Sequence, residues 1–547
     1  MRRHRPIALG LALALVAATT AAYAPVVDNG YVWDDDAYIT ENETLREPGG
    51  LARIWIDVGA TPQYYPLVHT SFWIESRLWG LDPRGFHIVN VLLHVLTALL
   101  AWRVLAHLSV PGAWWAALFF AVHPVHVESV AWITERKNVL SGALYFGAAL
   151  AILRASVARE TVRPSHRLYA TALILFAGAL LSKTVTGSLP AALLLVVWWK
   201  RGRIEIRDVT PLLPFFAMAA GLGGLTIWME KHRVGAVGAP WDLSAVERVL
   251  IAGRAVWFYL AKLGWPDSLA FFYPRWRIDT GLGWQYLPPL AAVALVGALY
   301  AARRTIGRGP LVAVLFFGGT LVPALGFFDV YPMRYSFVAD HFQYLASLGP
   351  LALVAAGFAS GAKRFGAAGR RAGIALGLCA TTALGTLTWQ RVPVFHDLET
   401  LWTTTIAVNP RAWLAQYNLG NLRRRQGDTA GAARHYRQAL GEKSDFAPAH
   451  NNLATVLGLR GRVDDAIHHY ERAIAIDPDH ALARFNLARV LAELGRVDEA
   501  IGHYREAIRV EPEYTAARHH LSLLLENSEN DQRTKNSTKS SLPPSNP

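Results

Sequence analysis

The sequence is poor in cysteine and in charge, and each shortage excludes a class of protein. It has 547 residues and one cysteine, Cys379, so it can form neither an intramolecular disulfide nor a cysteine-based zinc site. Charged residues make up 17% of the chain, whereas soluble domains average about 25%. Hydrophobic residues make up 52%, which excludes a disordered chain, and the shortage of charge excludes a single soluble enzyme.

The charge that is present is unevenly distributed along the chain. Residues 392–547 hold 19 basic and 19 acidic residues, whereas residues 1–391 hold 35 basic and 22 acidic ones. The whole net charge of +13 therefore belongs to the first part. We predict that residues 1–391 form an all-α polytopic membrane domain and that the neutral remainder is soluble. The basic excess follows membrane topology, so no nucleic-acid partner needs to be invoked.

Apolar runs in the first part predict eleven or twelve membrane segments. A bilayer core is crossed by about 17–25 apolar residues. The first segment follows a basic start and is interpreted as an uncleaved helix rather than a signal peptide. The candidate segments are 7–24, 86–102, 113–123, 138–153, 168–181, 189–199, 209–228, 246–263, 284–302, 311–328, 342–359 and 372–389.

The basic loops predict an orientation. With alternating crossings, one face carries 19 basic residues against three acidic ones, a strong positive-inside pattern. This alternation requires that one segment does not span. Segment 246–263 is the best candidate for a re-entrant or interfacial piece, because it carries Arg248, Arg254 and Lys262. We therefore predict an integral protein of a cell or inner membrane with a cytoplasmic N-terminus and everything after Trp389 outside the cytoplasm.

The second part repeats every 34 residues, which is the tetratricopeptide period of two helices per repeat. We predict an α-solenoid over 395–526, with three full repeats and a half repeat at each end, and a disordered tail over 527–547. Stacked repeats usually bind an extended peptide or a partner protein, and the alternative is a spacer without a ligand. The repeated positions are Leu419, Leu453 and Leu487; Ala432, Ala466 and Ala500; Tyr436, Tyr470 and Tyr504; and Ala439, Ala473 and Ala507.

Acidic residues cluster in the predicted outer loops, which favours an enzyme working at the outer membrane face over a channel. The first loop contains Asp34, Asp35 and Asp36 between Trp33 and Tyr38. Adjacent carboxylates repel, so the pKa of at least one rises or the group recruits a cation. The triplet could therefore supply a general base or a divalent-cation site. The alternative is a solvated turn.

The second outer loop offers further candidates. His123, His126 and Glu128 could be metal ligands, or the histidines could be interfacial hydrogen-bonding groups. Arg136 and Lys137, at the start of the next segment, could hold a phosphate or could be helix-end charges that reach the interface. Lys183 lies alone between two apolar segments and is costly there unless it meets an anion or reaches a short outer loop.

Several of these motifs together resemble the transmembrane-and-tetratricopeptide (TMTC-like) protein O-mannosyltransferases, polytopic enzymes of the C-type glycosyltransferase (GT-C) fold. The resemblance covers roughly residues 5–525. His-Pro-Val-His with the downstream Glu and Arg is its most specific motif. The segments that carry it are 32–35, 39–42, 120–136, 181–183, 338–345 and the repeat array.

The resemblance implies transfer of a hexose, mannose in the first instance, from a polyprenyl-phosphate carrier to Ser/Thr of proteins outside the cytoplasm. The acidic residue that acts as the general base in such enzymes maps onto Asp34 or Asp35, and of the two we favour Asp35. No cofactor is implied, and a divalent cation stays an open alternative. His341 stands where family members usually carry arginine. The lipid-phosphate site maps onto Glu128, Arg136, Lys183 and His341.

Two other functions remain open at this point. One is a non-catalytic membrane anchor for a repeat scaffold that recruits outer-face partners. The other is a transferase that acts on an envelope lipid or polysaccharide.

Overall fold

A computed structural model describes residues 5–161, 165–235, 238 and 241–540. The described chain is 78% helix and contains no strand, as predicted. It divides into two units, Met1–Thr404 and Thr405–Pro547. The α-helices that begin in the first unit are α1 Arg5–Ala22, α2 Gly50–Ile56, α3 Pro66–Trp79, α4 Pro83–His107, α5 Ala113–Ala121, α6 Val127–Ala131, α7 Arg136–Thr161, α8 His166–Leu180, α9 Leu189–Arg201, α10 Ile206–Val209, α11 Leu213–Met229, α12 Ala245–Gly264, α13 Leu287–Ala302, α14 Gly309–Leu321, α15 Leu348–Arg364, α16 Gly366–Arg391 and α17 Leu398–Val408.

Five helical segments of the described chain are long and apolar enough to cross a membrane. Three shorter apolar helices accompany them, Pro6–Ala22, His166–Leu180 and Gly309–Ala324. The count of eleven crossings and their orientation stay predictions. The five long segments are Pro83–His107, Ile133–Ala155, Ile206–Val234, Gly283–Ala302 and Gly366–Phe395.

Two of the predicted segments differ from simple spans. Helix α5 has nine residues, or about 14 Å of rise, so this helix alone does not cross a bilayer core of about 30 Å. Segment 246–263 is one continuous helix, α12, and its place as a re-entrant or interfacial piece stays a prediction. Its N-terminus is closed by a capping box in which Ser244 and Glu247 satisfy each other's backbone N–H groups. Near this end, Arg248 Nη2 donates a hydrogen bond to Asp329 Oδ1 at 2.8 Å.

The first loop, between α1 and α4, contains the helices α2 and α3. Tyr38, Ile39, Phe72 and Phe86 pack in a common hydrophobic cluster that fixes the loop against the start of α4. This packing gives the short acidic segment around Asp34 a rigid support.

The second unit consists of paired helices that follow the 34-residue period. Buried Tyr436, Tyr470 and Tyr504 fill equivalent positions between the two helices of each repeat. Gly420 faces Tyr436, and a Cβ there would approach the ring to 2.6 Å, which explains the small residue. The helices are α18 Trp413–Arg425, α19 Thr429–Glu442, α20 Ala447–Leu459, α21 Val463–Ile476, α22 Ala481–Glu493, α23 Val497–Val510 and α24 Thr515–Ser540.

Two predicted boundaries change. Helix α24 runs to Ser540, so residues 527–540 are helical where we predicted a disordered tail, and 541–547 lie outside the described residues. Extending a helix that already packs through buried Ala517 costs little compared with starting one. The first unit extends to Thr404 rather than 391. Trp402, expected in the leading half repeat, packs edge-on against Trp33 with ring centroids 5.1 Å apart.

Candidate functional site

A cavity of about 460 Å³ lies where the loops of the first unit meet. One wall is the acidic segment of the first loop, and a second is the stretch between α6 and the first turn of α7. A loop after α12 and the segment before α15 close the remaining sides. Residues from these four segments that line the cavity include Trp33, Asp34 and Tyr38; Glu128, Trp132, Glu135 and Lys137; Phe271 and Phe272; and Tyr331, Tyr335 and His341.

A tight turn at Trp33 directs the side chains of the adjacent residues Asp34 and Asp35 to different places. Trp33 has a left-handed backbone with φ +54°, a strained conformation for a bulky residue. The Asp35 N–H donates to Val32 O at 3.1 Å, and the Val32 N–H donates to Asp35 Oδ2 at 2.9 Å. As a result, Asp34 lines the cavity whereas Asp35 is wholly buried behind it.

Of the three adjacent aspartates in the first loop, Asp34 is the one that lines the cavity. Its Oδ1 is buried and accepts no hydrogen bond within the part of the chain that the structure describes. Burial raises the pKa of Asp34 to about 6, while Lys137 opposes this rise and Glu135 adds to it. A carboxylate with a pKa near the working pH is suited to accept a proton.

Asp35 is held as a structural group. Its Oδ1 accepts hydrogen bonds from the Thr134 N–H at 2.8 Å and from the Thr134 hydroxyl at 2.6 Å. Burial raises the pKa of Asp35 to about 7, and the hydrogen bonds from Thr134 and Val32 limit that rise. These bonds occupy the oxygens that a base would need, so the geometry favours Asp34 over Asp35.

Two lysines share one carboxylate at the cavity. Lys137 Nζ lies 3.0 Å from Glu135 Oε1, and Lys183 Nζ lies 3.2 Å from Glu135 Oε2. Lys183 also donates to Asn138 Oδ1 at 2.8 Å, and its burial lowers its pKa. Lys137 lines the cavity directly, whereas Lys183 stands behind Glu135. The sequence did not predict Glu135 as a residue of this site.

Arg136 is placed differently from its predicted role. Its guanidinium is fully buried in a bidentate pair with Glu75, with Nη2 3.1 Å from Glu75 Oε2. It also donates to Asn90 and to Phe86 O. Consecutive residues at a helix start project in directions about 100° apart, so Lys137 faces the cavity when Arg136 faces the core. These contacts leave Arg136 outside the cavity and without room for a phosphate.

His341 and Glu128 form a third polar group on the cavity wall. The Glu128 carboxylate accepts a hydrogen bond from the His341 N–H at 3.2 Å, and its Oε1 lies 2.9 Å from His341 Nδ1. His341 Nε2 is 4.0 Å from Glu135 Oε1. The structure therefore brings Glu128, His341 and Lys183 into one network around Glu135.

His123 and His126 lie outside this network. His123 Nε2 is 3.0 Å from Leu263 O, and His126 contacts Phe120 O at 2.8 Å and Ser347 Oγ at 2.9 Å. Burial lowers the pKa of His123 to about 4 and that of His126 well below its usual value, so both rings are neutral. Their partners are those of structural histidines. No cluster of three metal-ligating side chains occurs in residues 5–161, 165–235, 238 and 241–540.

A loop between α12 and α13 supplies the aromatic wall, which the sequence analysis did not find. Phe272 stacks on Trp402 at 5.9 Å and contacts Trp33 at a similar distance, and Phe271 packs against Trp132 at 5.0 Å. The loop has no periodicity that would mark these residues. The run of three aromatic residues, Phe271, Phe272 and Tyr273, was the only signal available.

These features define a helical membrane protein with a charged, aromatic-lined cavity, followed along the chain by a repeat unit. Family models for the tetratricopeptide repeat match residues 399–448 and 445–512. Among solved structures, the crystal structure of MamA is 21% identical, with a TM-score of 0.23 and coverage of 24% of this chain and 77% of that one.

Curated relatives confirm the resemblance inferred from the motifs. The chain is 26% identical to human Protein O-mannosyl-transferase TMTC1 over 512 residues, which cover 82% of this chain and 57% of that protein. It is 26% identical to mouse TMTC4 over 489 residues, covering 76% and 64%. Drosophila melanogaster Tmtc1 is 32% identical over 149 residues, covering 25% and 17%. The chain is thus similar to TMTC protein O-mannosyl-transferases over most of its length, while spanning less than two thirds of theirs.

Proposed function

We propose that the chain is a membrane glycosyltransferase that moves mannose from a polyprenyl-phosphate carrier to Ser or Thr of proteins outside the cytoplasm. The observation that carries the proposal is the buried, unbonded Oδ1 of Asp34, within the described chain, in a cavity that also presents Lys137. The names of the TMTC relatives support mannose as the sugar and protein as the acceptor.

The reaction is a single displacement at the anomeric carbon. The acceptor hydroxyl oxygen forms the new glycosidic bond while the bond between that carbon and the carrier phosphate oxygen breaks. Asp34 takes the hydroxyl proton, and its pKa of about 6 leaves it largely ionised at neutral pH. The carrier leaves as a phosphate monoester, so no separate acid is required.

Stabilising the leaving phosphate falls to the lysines rather than to Arg136. Lys137 lines the cavity, and Lys183 adds a second positive charge through Glu135. Fixed charges in a site that excludes water stabilise developing charge without reorganisation. His341, whose Nδ1 lies 2.9 Å from Glu128 Oε1, supplies a further nitrogen at the cavity.

The aromatic wall suits the sugar. Trp33, Trp132, Phe271 and Phe272 surround the side of the cavity next to Asp34. Their flat apolar faces fit the C–H face of a pyranose ring, while Asp34 and Lys137 face the polar groups of the sugar. The repeat unit then supplies a surface for the acceptor polypeptide, as tetratricopeptide arrays do for extended chains.

The test is transfer by the purified full chain from mannosyl polyprenyl phosphate to a Ser/Thr-rich polypeptide. We expect hexose on the polypeptide with the wild type and a 100- to 10,000-fold lower kcat with Asp34→Asn, the range for a positioned base. Hexose appearing on a lipid or glycan acceptor instead would favour the envelope alternative. Unchanged turnover in Asp34→Asn would contradict the mechanism, and absence of transfer to any acceptor would favour the scaffold.

A further inference from the structure

A second cavity in the first unit is almost wholly apolar. This apolar groove, of about 410 Å³, lies among α4, α7, α9, α14 and α15. Leu193, Phe146, Ala149 and Leu353 are typical of its lining, and no ionisable side chain takes part in it except the phenol of Tyr145. In a membrane unit such a groove is a natural place for a hydrocarbon chain, because water gains no hydrogen bonds there.

The groove runs away from the charged cavity. Helix α9 lines the groove from Leu189 to Trp199. The two lysines near the charged cavity lie at the N-terminal ends of groove helices: Lys137 is in the first turn of α7, and Lys183 precedes α9. The twelve residues from Leu189 to Lys200 span about 17 Å, since eleven steps of about 1.5 Å separate the first from the last. The far end of the groove is therefore well separated from the site proposed for the carrier phosphate.

That far end has a basic rim, formed by Lys200, Arg308 and Lys363. Lys200 follows the lining residue Trp199, Arg308 precedes the lining residue Gly309, and Lys363 lies one turn beyond the lining residue Ser360. Among the side chains that the structure describes, none of the three forms an ion pair with a carboxylate.

Two acidic side chains that the structure describes near this end, Asp208 and Glu205, are already paired with arginines. Asp208 pairs with Arg201 at 2.6 Å, and Glu205 pairs with Arg203 at 2.7 Å and with Arg207 at 2.6 Å. The rim thus keeps a net positive charge beside the mouth of the groove. An apolar slot that ends in unneutralised cations is complementary to a lipid with an anionic headgroup.

We propose that the apolar groove binds one acyl chain of an anionic phospholipid whose headgroup phosphate contacts Lys200, Arg308 and Lys363. This site is distinct from the transfer site and does not rest on transferase activity. Its occupant belongs to the leaflet opposite the charged cavity, which separates it from the polyprenyl-phosphate carrier.

The experiment counts bound lipid on the purified full chain by native mass spectrometry, during titration with phosphatidylglycerol or phosphatidylcholine. We expect one phosphatidylglycerol to bind at least ten-fold more tightly than phosphatidylcholine. Ala192→Phe fills the groove and should abolish this binding. Its matched control, Ala191→Phe, places the same ring on an exposed position that does not line the groove and should leave binding intact.

The rim is tested separately by the double variant Lys200→Gln, Arg308→Gln. Two interfacial cations correspond to about a 30-fold loss for the anionic lipid, with phosphatidylcholine unchanged. Arg207→Gln, which removes an exposed charge at the same end, is the control. Equal binding of both lipids by the wild type would overturn the proposal. So would binding unaffected by Ala192→Phe, or displacement of phosphatidylglycerol by an equal concentration of polyprenyl phosphate.

Discussion

Asp35 and Thr134 join the first loop to the second through two hydrogen bonds at one carboxylate oxygen, from the Thr134 N–H at 2.8 Å and its hydroxyl at 2.6 Å. The two residues are 99 positions apart, and both are buried. This contact fixes the distance between the wall that carries Asp34 and the wall that carries Lys137. The role that we propose for Asp34 as a base thus depends on its neighbour Asp35 as an anchor.

Replacing Asp35 with Asn should reduce stability more than turnover. One oxygen of the amide can still accept from Thr134, but the other position becomes a donor that faces the Val32 N–H. Leaving a buried donor without its acceptor costs about 1–3 kcal/mol. We expect a lower midpoint of thermal unfolding in detergent and a kcat within ten-fold of wild type for the folded fraction.

Asp36→Asn is the matched control for this change. Asp36 does not line the cavity, and its Oδ1 accepts from the Thr40 hydroxyl at 2.8 Å at a partly exposed position. Both unfolding temperature and kcat should stay near wild type. A loss of kcat in Asp35→Asn as large as in Asp34→Asn, with an unchanged unfolding temperature, would return the base to Asp35.

The pH profile of kcat/KM should fall on the acidic side near pH 6. Asp34 must be ionised to accept a proton, and burial raises its pKa to about 6. Activity should therefore decline ten-fold per unit below this pH and level off above it. Lys137 lowers the pKa of Asp34, so Lys137→Gln should move the acidic limb to higher pH. A limb that stays in place in this variant would assign it to another group.

The large-scale organisation could be predicted because it depends on patterns that repeat. The 34-residue spacing of Tyr436, Tyr470 and Tyr504 reflects one packing contact made three times, and long apolar runs reflect the thickness of a bilayer. Part of the polar network at the cavity could also be predicted, since Asp34, Glu128 and Lys183 are charged residues, and His341 a polar one, in or beside a loop of an apolar unit.

Orientation within the site could not be predicted. Whether Asp34 or Asp35 faces the cavity depends on the left-handed turn at Trp33, which nothing in the local sequence requires. Whether Arg136 or Lys137 faces it depends on where α7 begins and on Glu75, 61 positions earlier, being available to pair. The aromatic wall at Phe271 and Phe272 comes from an irregular loop that no period reveals.

The Arg136–Glu75 pair gives a test that separates structure from phosphate binding. Arg136→Met should destabilise the fold by about 3–5 kcal/mol, because it leaves the Glu75 carboxylate buried without its partner. The double variant Arg136→Met, Glu75→Leu should recover most of this loss and keep the KM for the carrier within three-fold of wild type. A double variant that folds but binds the carrier poorly would restore the phosphate role first assigned to Arg136.

The orientation of the chain is tested by reporters fused after Glu526. The positive-inside pattern, with Lys363, Arg364, Arg370 and Arg371 before the last apolar segment, predicts that the repeat unit lies outside the cytoplasm. Alkaline phosphatase, which is active only outside the cytoplasm, should therefore give signal at this position. The matched fusion of a reporter that functions only in the cytoplasm should be silent. A signal from it would mean that the repeats and the acidic loop lie on opposite sides of the membrane.

The two lysines around Glu135 should differ in how they affect the carrier. Lys137 lines the cavity, so Lys137→Gln removes a charge that, in the mechanism we propose, acts on the phosphate both in the bound ground state and in the transition state. We expect a higher KM for the carrier together with a kcat lower by about 100- to 1,000-fold, the usual loss for one stabilising group.

Lys183→Gln removes a charge that reaches the cavity only through Glu135 and Asn138. It should lower kcat by a smaller factor and leave KM closer to wild type. Combining each lysine variant with Glu135→Gln completes the test, because Glu135 pairs with both ammonium groups. If Lys137 contacts the phosphate directly, Glu135→Gln will not rescue Lys137→Gln. Equal effects of the two lysine variants on KM would instead place both ammonium groups on the phosphate and require Glu135 to move when the carrier binds.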